Sequence, residues 1–302
     1  MNLAITGGSG FIGTWFVKRF QNRYRFVILG RSKQKPAWLP AGLDCRYCAT
    51  DYSVDSLSKC LDGVEGVLHL AARKVIREQD RFEEYVNANL LLTQRLFEAC
   101  RILNIKNIVN SSSRLVYSES NSLPWSEDTD PHPVTYYGIS KLAAEKLAHY
   151  YNCTYSMNIK SLRLAQVIGC GAGSESVVGK FMRSAAAKEK LTVFGTGAGR
   201  REYIYIEDAV RALHCAISKS EVSGVFNIGS GVNISYRELA ILINNIYNNA
   251  GNIVFLHEKP EDCSVGLMDI SKAANELGFV PRWTMEAALR DMQKRAAVRR
   301  SH

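Results

Sequence analysis

Short apolar runs alternate with helix-periodic segments through the first half of the chain. Leu3-Ala4-Ile5-Thr6, Arg25-Phe26-Val27-Ile28-Leu29, Val67-Leu68-His69-Leu70-Ala71 and Asn107-Ile108-Val109-Asn110 read as strands. Between and after them, apolar residues recur with helical spacing over 11–20, 54–61, 82–103 and 137–151. Continuous apolar strands suit a sheet buried on both faces, and alternation with helices builds βαβ units. The pattern predicts an α/β protein with a doubly wound parallel sheet. The second half is less regular. Glycines cluster at Gly169, Gly171 and Gly173 and at Gly195, Gly197 and Gly199, and a Gly229-Ser230-Gly231 turn precedes a helical pattern over 236–245. No linker-like composition divides the halves, so a smaller second part is expected to pack directly on the first.

With 302 residues, 46% of them hydrophobic, the chain can bury a full core without metal or disulfide staples. No apolar stretch is long enough for a membrane span, and no basic segment precedes an apolar one near Met1, so no secretory signal is expected. Eight cysteines are present. Cys45-x-x-Cys48 has metal or redox spacing, but neither a second pair nor a histidine cluster supports it. Reduced thiols, no metal site and a cytoplasmic location are the expectation. The net charge of +9 suits either nucleic acid or a substrate carrying a diphosphate. The densest basic run, Lys294-Arg295 to Arg299-Arg300, has no interleaved aromatics and reads as a solvated end. No nucleic-acid partner is expected.

Candidate chemistry begins at the first strand. Thr6-Gly7-Gly8-Ser9-Gly10-Phe11-Ile12-Gly13 follows that strand and opens a helix. Gly7, Gly10 and Gly13 would let the backbone approach a pyrophosphate, with the first N–H groups around Phe11 and Ile12 facing the anion. A plain strand-to-helix turn is the bland alternative. This order makes the sheet a Rossmann candidate. The second strand ends in Leu29-Gly30-Arg31, with no carboxylate for a ribose 2′-hydroxyl. Arg31 would instead suit the 2′-phosphate of NADP, although a solvated basic loop is the competing reading, so NADP is preferred only slightly over NAD. Asp51 and Tyr52 are candidates for the adenine side.

Tyr137 and Lys141 stand at i and i+4, which share one helix face. A nearby ammonium and a cationic nicotinamide ring would favour phenolate and lower the Tyr137 pKa, making it a proton acceptor or donor while hydride moves. Lys141 would also hold the nicotinamide ribose. Ser111-Ser112-Ser113 ends the fourth strand, at the carboxyl edge where such sheets bind ligands. Ser113 is the candidate to orient the substrate hydroxyl, with Ser112 beside it.

Together the glycine loop, Ser113, Tyr137 and Lys141 resemble the extended short-chain dehydrogenases, the NAD(P)-dependent nucleotide-sugar epimerase/dehydratase family. Further matches are His69-Leu70-Ala71-Ala72, Asn89-Leu90-Leu91-Leu92-Thr93, Leu162 to Gly169, Arg200-Arg201-Glu202-Tyr203 to Asp208, Phe226 to Gly231, and Asp269 to Lys272. The resemblance implies a dinucleotide-binding domain over 1–165, joined by 203–228, and a smaller α/β nucleotide-sugar domain mainly over 166–302. It also implies that Leu70, Ala71, Ala72 and Asn89 line the cofactor, and that Arg201 or Arg200 meets the substrate diphosphate. A solvated loop arginine is the alternative. Many members form homodimers through the helices that carry Asn89 and Tyr137. The stripe Leu92, Leu96, Ala99, Leu103 fits that role or, equally, a face turned to the sheet.

Departures from the family pattern narrow the chemistry. Sugar-nucleotide 4,6-dehydratases carry an Asp-Glu pair just after the serine or threonine, where this chain has Arg114 and Leu115, which argues against dehydration. Gln166 stands where an asparagine is usual, so its substrate hydrogen bond is open. A 4-keto sugar reductase, favoured slightly by Arg31, and a 4-epimerase remain. A cofactor-sensing binding module that has lost activity is the remote alternative. The loops over 73–79, 115–125 and 169–178 are expected to choose the sugar.

Overall fold

The computed structural model describes residues 1–39, 42–74, 81–173 and 175–300, with backbone alone at 299 and 300. In chain order the first strands are β1 (Asn2–Thr6), β2 (Arg25–Gly30), β3 (Cys45–Ala49), β4 (Gly66–His69), β5 (Asn107–Ser113) and β6 (Asn158–Leu164). They are followed by β7 (Gln166–Ile168), β8 (Leu191–Phe194), β9 (Arg200–Tyr205), β10 (Gly224–Ile228), β11 (Asn233–Ser235) and β12 (Ile253–Leu256). The helices are α1 (Phe11–Phe20), α2 (Val54–Cys60), α3 (Phe82–Tyr85), α4 (Leu92–Ile102), α5 (Tyr136–Tyr155), α6 (Val177–Ala186), α7 (Ile206–Ser218), α8 (Tyr236–Ile246) and α9 (Met285–Arg300).

The main sheet has seven parallel strands in the order β10-β6-β5-β4-β1-β2-β3. The chain runs outward from β1 to β3, then returns to lay β4 against the other side of β1. That reversal opens a crevice at the carboxyl ends of β1 and β4, where doubly wound sheets bind ligands. Both faces of the sheet are covered. Phe16, Leu68, Val109 and Leu213 belong to one core, and Val67, Leu96, Ile108 and Ile159 to the other. This is the predicted Rossmann sheet, and the smaller part built on it carries two short sheets, β11-β9-β7 and β12-β8.

β5 is buried along its whole length although four of its seven residues are Asn or Ser after Val109. Such a strand needs internal hydrogen bonds. Asn107 donates to the Ile217 carbonyl, Asn110 to Ser161 Oγ, and Ser112 to Glu145. On β6, the fully buried Lys160 ammonium donates to Asn107 Oδ1 and to the carbonyls of Asn158, Lys219 and Val222.

Several sequence expectations change. The long helix over 82–103 is α3, a π-helical turn at Val86–Leu91, and α4. Leu92, Leu96 and Ala99 are buried in the sheet core, so the stripe faces the sheet and not a partner. Cys48 forms a disulfide with Cys60, their Cα atoms 5.8 Å apart, and not with Cys45. Strand side chains three apart point to opposite faces, and Cys45 packs on the other core. The expectation of reduced thiols, and the location argued from it, loses that support. Arg295 is exposed, as expected of the basic end, and also pairs with Asp291 and Glu207 and lies 4.8 Å over the Trp15 ring. Arg299 and Arg300 side chains, residues 75–79 and Ser174 of the expected specificity loops lie outside the described residues. Among the described residues no helix is long and apolar enough to cross a membrane, and no cluster of His, Cys, Asp and Glu could hold a metal ion.

Candidate active site

The glycine cradle follows from close backbone contact. Gly7 takes φ +68°, and a Cβ there would stand 2.6 Å from the Ala71 nitrogen. Only glycine fits, so the end of β1 lies flush against the segment after β4. A Cβ on Gly13 would likewise stand 2.5 Å from the Gly7 carbonyl. Gly10 caps α1 without a side chain, leaving the first-turn N–H groups of that helix to face outward. The Phe11 ring lies against Gly169 and Gly171, which ties the cradle to the second half. Thr6 fixes its rear wall. Its Oγ1 bonds His69 Nδ1 at 2.7 Å and accepts from the Ala71 nitrogen, while His69 Nε2 bonds Thr93 at 2.8 Å. Burial, with the Lys141 charge adding to it, pushes His69 down to about 3, so the ring stays neutral. These residues fit a dinucleotide pyrophosphate.

Arg31 is exposed at the end of β2, 5.8 Å over the ring of Tyr52. Tyr52 is buried with φ +62°, and its hydroxyl reaches the Leu29 carbonyl. The Asp51 carboxylate accepts from the Ser53 backbone and hydroxyl. Arg31, with Lys33 two residues further on, is thus an exposed cation at this corner that can meet an added phosphate. Arg31→Asp is expected to shift the ratio of NADP(H) to NAD(H) use towards NAD(H) by about 10-fold. An unchanged ratio in steady-state kinetics with both cofactors would remove the argument.

Tyr137, Lys141 and Ser113 meet at the carboxyl end of β5. Thr135 caps α5, accepting from the Gly138 nitrogen at 3.0 Å. Tyr137 is hydrogen-bonded to Ser113, whose Oγ also accepts from the Leu115 nitrogen. Lys141 is buried and donates to the Ser111 carbonyl at 2.6 Å, with its ammonium 5.7 Å from the Tyr137 ring centroid. Its charge does not depress the tyrosine as the i, i+4 spacing suggested. Burial pushes Tyr137 up to about 12, against the Ser113 hydrogen bond. Burial also pulls Lys141 down to about 8, opposed by Glu145. The phenol therefore rests protonated, held for donation.

That value makes a pH test. If the Lys141 ammonium holds the cofactor ribose, affinity for NAD falls as pH rises through about 8. Fluorescence titration of NAD should show this limb in the wild type and not in Lys141→Met; a wild-type affinity flat to about pH 9.5 would count against it.

Other predicted contacts are placed differently. Ser112 points away from the crevice, because alternate strand residues face opposite ways, and it donates to Glu145. Asn89 sits in the π-helical turn, its amide engaged by both Arg73 backbone groups and by Ser140 Oγ. It braces α5 and not an open pocket. Gln166 is half-buried on β7, paired with Tyr203. Arg200 bonds Asn233 and Glu238, whereas Arg201 turns to Asp262 and the Ser264 carbonyl, 5.7 Å over Tyr236.

Sequence reasoning did not find the buried network beneath α5. Ser112, Glu145, Arg163, Tyr117 and Asn227 form one chain of hydrogen bonds, with Arg163 and Glu145 paired at 2.7 Å. The signal was present: Glu145 stands one helical turn past Lys141. Gly266, packed against Trp125 and the Arg114 side chain, was also missed.

A glycine cradle at the switch point and a Tyr-Lys-Ser cluster at the adjacent strand end define a dinucleotide-dependent oxidoreductase site. The profile of the NAD dependent epimerase/dehydratase family matches residues 3–229, and the chain belongs to that family. It superposes on the UDP-N-acetylglucosamine 4-epimerase of Bacillus cereus with TM-score 0.87 at 33% identity, covering 98% of this chain and 96% of that one. Against the UDP-glucuronic acid 4-epimerase of the same organism, in complex with UDP-glucuronic acid and NAD, the TM-score is 0.84 at 28% identity, covering 98% and 100%. The dTDP-4-dehydro-6-deoxyglucose reductase of Escherichia coli is 28% identical over 294 residues, 92% of each chain.

Proposed function

We propose that this chain oxidises and reduces C4 of a hexose linked to a nucleoside diphosphate, acting as a 4-epimerase. The observation that carries the reading is the cluster of Tyr137, Ser113 and Lys141 at the carboxyl end of β5, in the same parallel sheet as the glycine cradle that follows β1. Bound nicotinamide supplies the hydride acceptor and donor. Tyr137, once it has lost its resting proton to solvent under the positive charge that oxidised nicotinamide would bring, would take the proton of the C4 hydroxyl as the ketone forms and return it when the ketone is reduced. Ser113 holds that hydroxyl in line with the phenol and, by its hydrogen bond, favours the phenolate that arises transiently. Gly7, Gly10, Phe11, Ile12, Gly13, Leu70, Ala71, Ala72 and Arg31 hold the dinucleotide. Arg201 and Gln166 hold the nucleotide-sugar, and the division into 1–165 with 203–228, against the remainder, follows from these roles.

Two solved neighbours named as 4-epimerases, one containing NAD and UDP-glucuronic acid, support this reading. A 4-keto sugar reductase is the second reading, supported by Arg31 and by the similarity to the dTDP-4-dehydro-6-deoxyglucose reductase. We also read a homodimer through the outer faces of α4 and α5, where Ile102, Tyr136, Ile139, Tyr150 and Tyr155 are exposed.

A panel of UDP-, dTDP-, GDP- and CDP-sugars, with and without a 4-keto group, tests the reading. Interconversion seen by NMR without net change in reduced-nicotinamide absorbance identifies an epimerase. Stoichiometric NADPH loss on 4-keto sugars identifies a reductase. No turnover with any member overturns both.

A further inference from the structure

Thr6 ends β1 and His69 ends β4, and the two strands pair with these residues side by side. Thr93, in the first turn of α4, meets the His69 ring from above the sheet. Thr6, His69, Thr93, Asn89 and Ser140 are all buried, and their hydrogen bonds join end to end. Each hydroxyl owns one proton, which fixes the direction of the chain. The Thr93 hydroxyl donates to the Asn89 carbonyl. Its oxygen must therefore accept from His69 Nε2, 2.8 Å away. In the neutral ring Nδ1 then carries no proton, and it accepts from the Thr6 hydroxyl at 2.7 Å. The Thr6 oxygen accepts in turn from the Ala71 nitrogen at 3.2 Å. One tautomer, with the proton on Nε2, satisfies every group. A charged ring would leave the Thr6 proton without an acceptor among the described residues.

Both ends of this chain reach the site. Ala71 is the residue on which the Gly7 backbone closes. Asn89 lies in the π-helical turn, and its amide donates to Ser140 Oγ at 2.9 Å. Ser140 Oγ donates to the Tyr137 carbonyl at 2.8 Å. A continuous buried path thus joins the cradle to the backbone of Tyr137. Buried hydrogen bonds of this kind hold firmly, because each broken one leaves a polar group without water. We propose that His69 and Thr93 are positioning residues that carry occupancy of the cradle to α5, so that a pyrophosphate seated against Gly7 and Ala71 tightens the start of that helix and fixes Tyr137 for proton transfer. No proton travels along the path; its work is orientation. This rests on the dinucleotide and proton-transfer readings given above.

The test uses ADP, which brings a diphosphate to the cradle but has no nicotinamide ribose to reach Lys141. Any change it causes at α5 must then pass through the protein. Saturating ADP is expected to slow amide hydrogen exchange in the first half of α5 by about 10-fold in the wild type. In Thr93→Val, which keeps the shape and removes the link to Asn89, the slowing should fall below about 2-fold while ADP affinity changes less than about 3-fold. Thr93→Ser should restore it. On the best substrate of the nucleotide-sugar panel, Thr93→Val should lose about 10-fold in kcat with KM within about 3-fold. Equal slowing in Thr93→Val, no slowing in the wild type, or a loss confined to KM would overturn the proposal. Nitrogen NMR of the histidine rings needs no variant. It should show His69 protonated at Nε2, bare at Nδ1, and not titrating between about pH 5 and 9. A proton on Nδ1 would overturn the proposal as well. The exchange experiment needs no sugar, so it stands if the nucleotide-sugar reading fails. Failure of the wild type to bind ADP would defeat the dinucleotide reading together with this one.

Discussion

Tyr137→Phe is expected to lower turnover by about 100- to 10,000-fold, with cofactor affinity changed less than about 3-fold. The substitution removes one oxygen. The ring keeps its edge-on contact with Tyr85, and Ser113 loses a partner while keeping the Leu115 nitrogen. The loss should fall on kcat, because the phenol acts on the proton in the transition state and not on cofactor binding. In the wild type, burial holds the phenol up to about 12, so a proton is present to donate across the whole neutral range. Removal of the substrate proton depends on the local positive charge that the cofactor would bring and on the Ser113 hydrogen bond. A variant of near-normal rate on the best substrate of the nucleotide-sugar panel would exclude Tyr137 as the proton-transfer group.

Gly138→Ala, one residue further on, is expected to cost about 100-fold in turnover without removing any reacting group. A Cβ at Gly138 would stand 2.2 Å from the Leu115 carbonyl and 2.9 Å from Pro133 Cβ. The first obstacle is backbone and cannot rotate away, so the start of α5 must move off the end of β5. That movement opens the Tyr137–Ser113 hydrogen bond, which depends on this close approach. Crystallographic displacement of the α5 N-terminus and a lower kcat are the expected observations. A variant with wild-type kcat would mean the approach is not needed for chemistry.

The order of strands and helices was legible because buried parallel strands are apolar throughout, and each of the first four runs became a strand of the main sheet. The cradle, Tyr137, Lys141 and Ser113 were legible because their spacing is local: a turn, one helical repeat, one strand end. What was not legible depends on partners distant in sequence. The π-helical turn around Asn89 interrupts a helix-compatible run, and Asn89 there bonds Arg73 and Ser140. Cys48 finds Cys60 because both side chains emerge on the same side of the sheet, which the Cys45-x-x-Cys48 spacing conceals. The Tyr137 pKa was misjudged because pair spacing says nothing about desolvation, the larger effect. Arg114 reads in sequence only as a missing acid. Its surroundings come from β9 and from the segment at Gly266.

β10 carries a consequence for synthesis. The chain leaves the main sheet after β6, builds β7, β8 and β9, and then returns to lay β10 along β6. Asn107 and the Lys160 ammonium wait on carbonyls at Ile217, Lys219 and Val222. A nascent chain stopped after β6 therefore leaves an open strand edge and a lysine with too few acceptors. The sheet closes only when Ile228 has cleared the ribosome, so its last strand is laid down only after the intervening segment over 166–202 has been made.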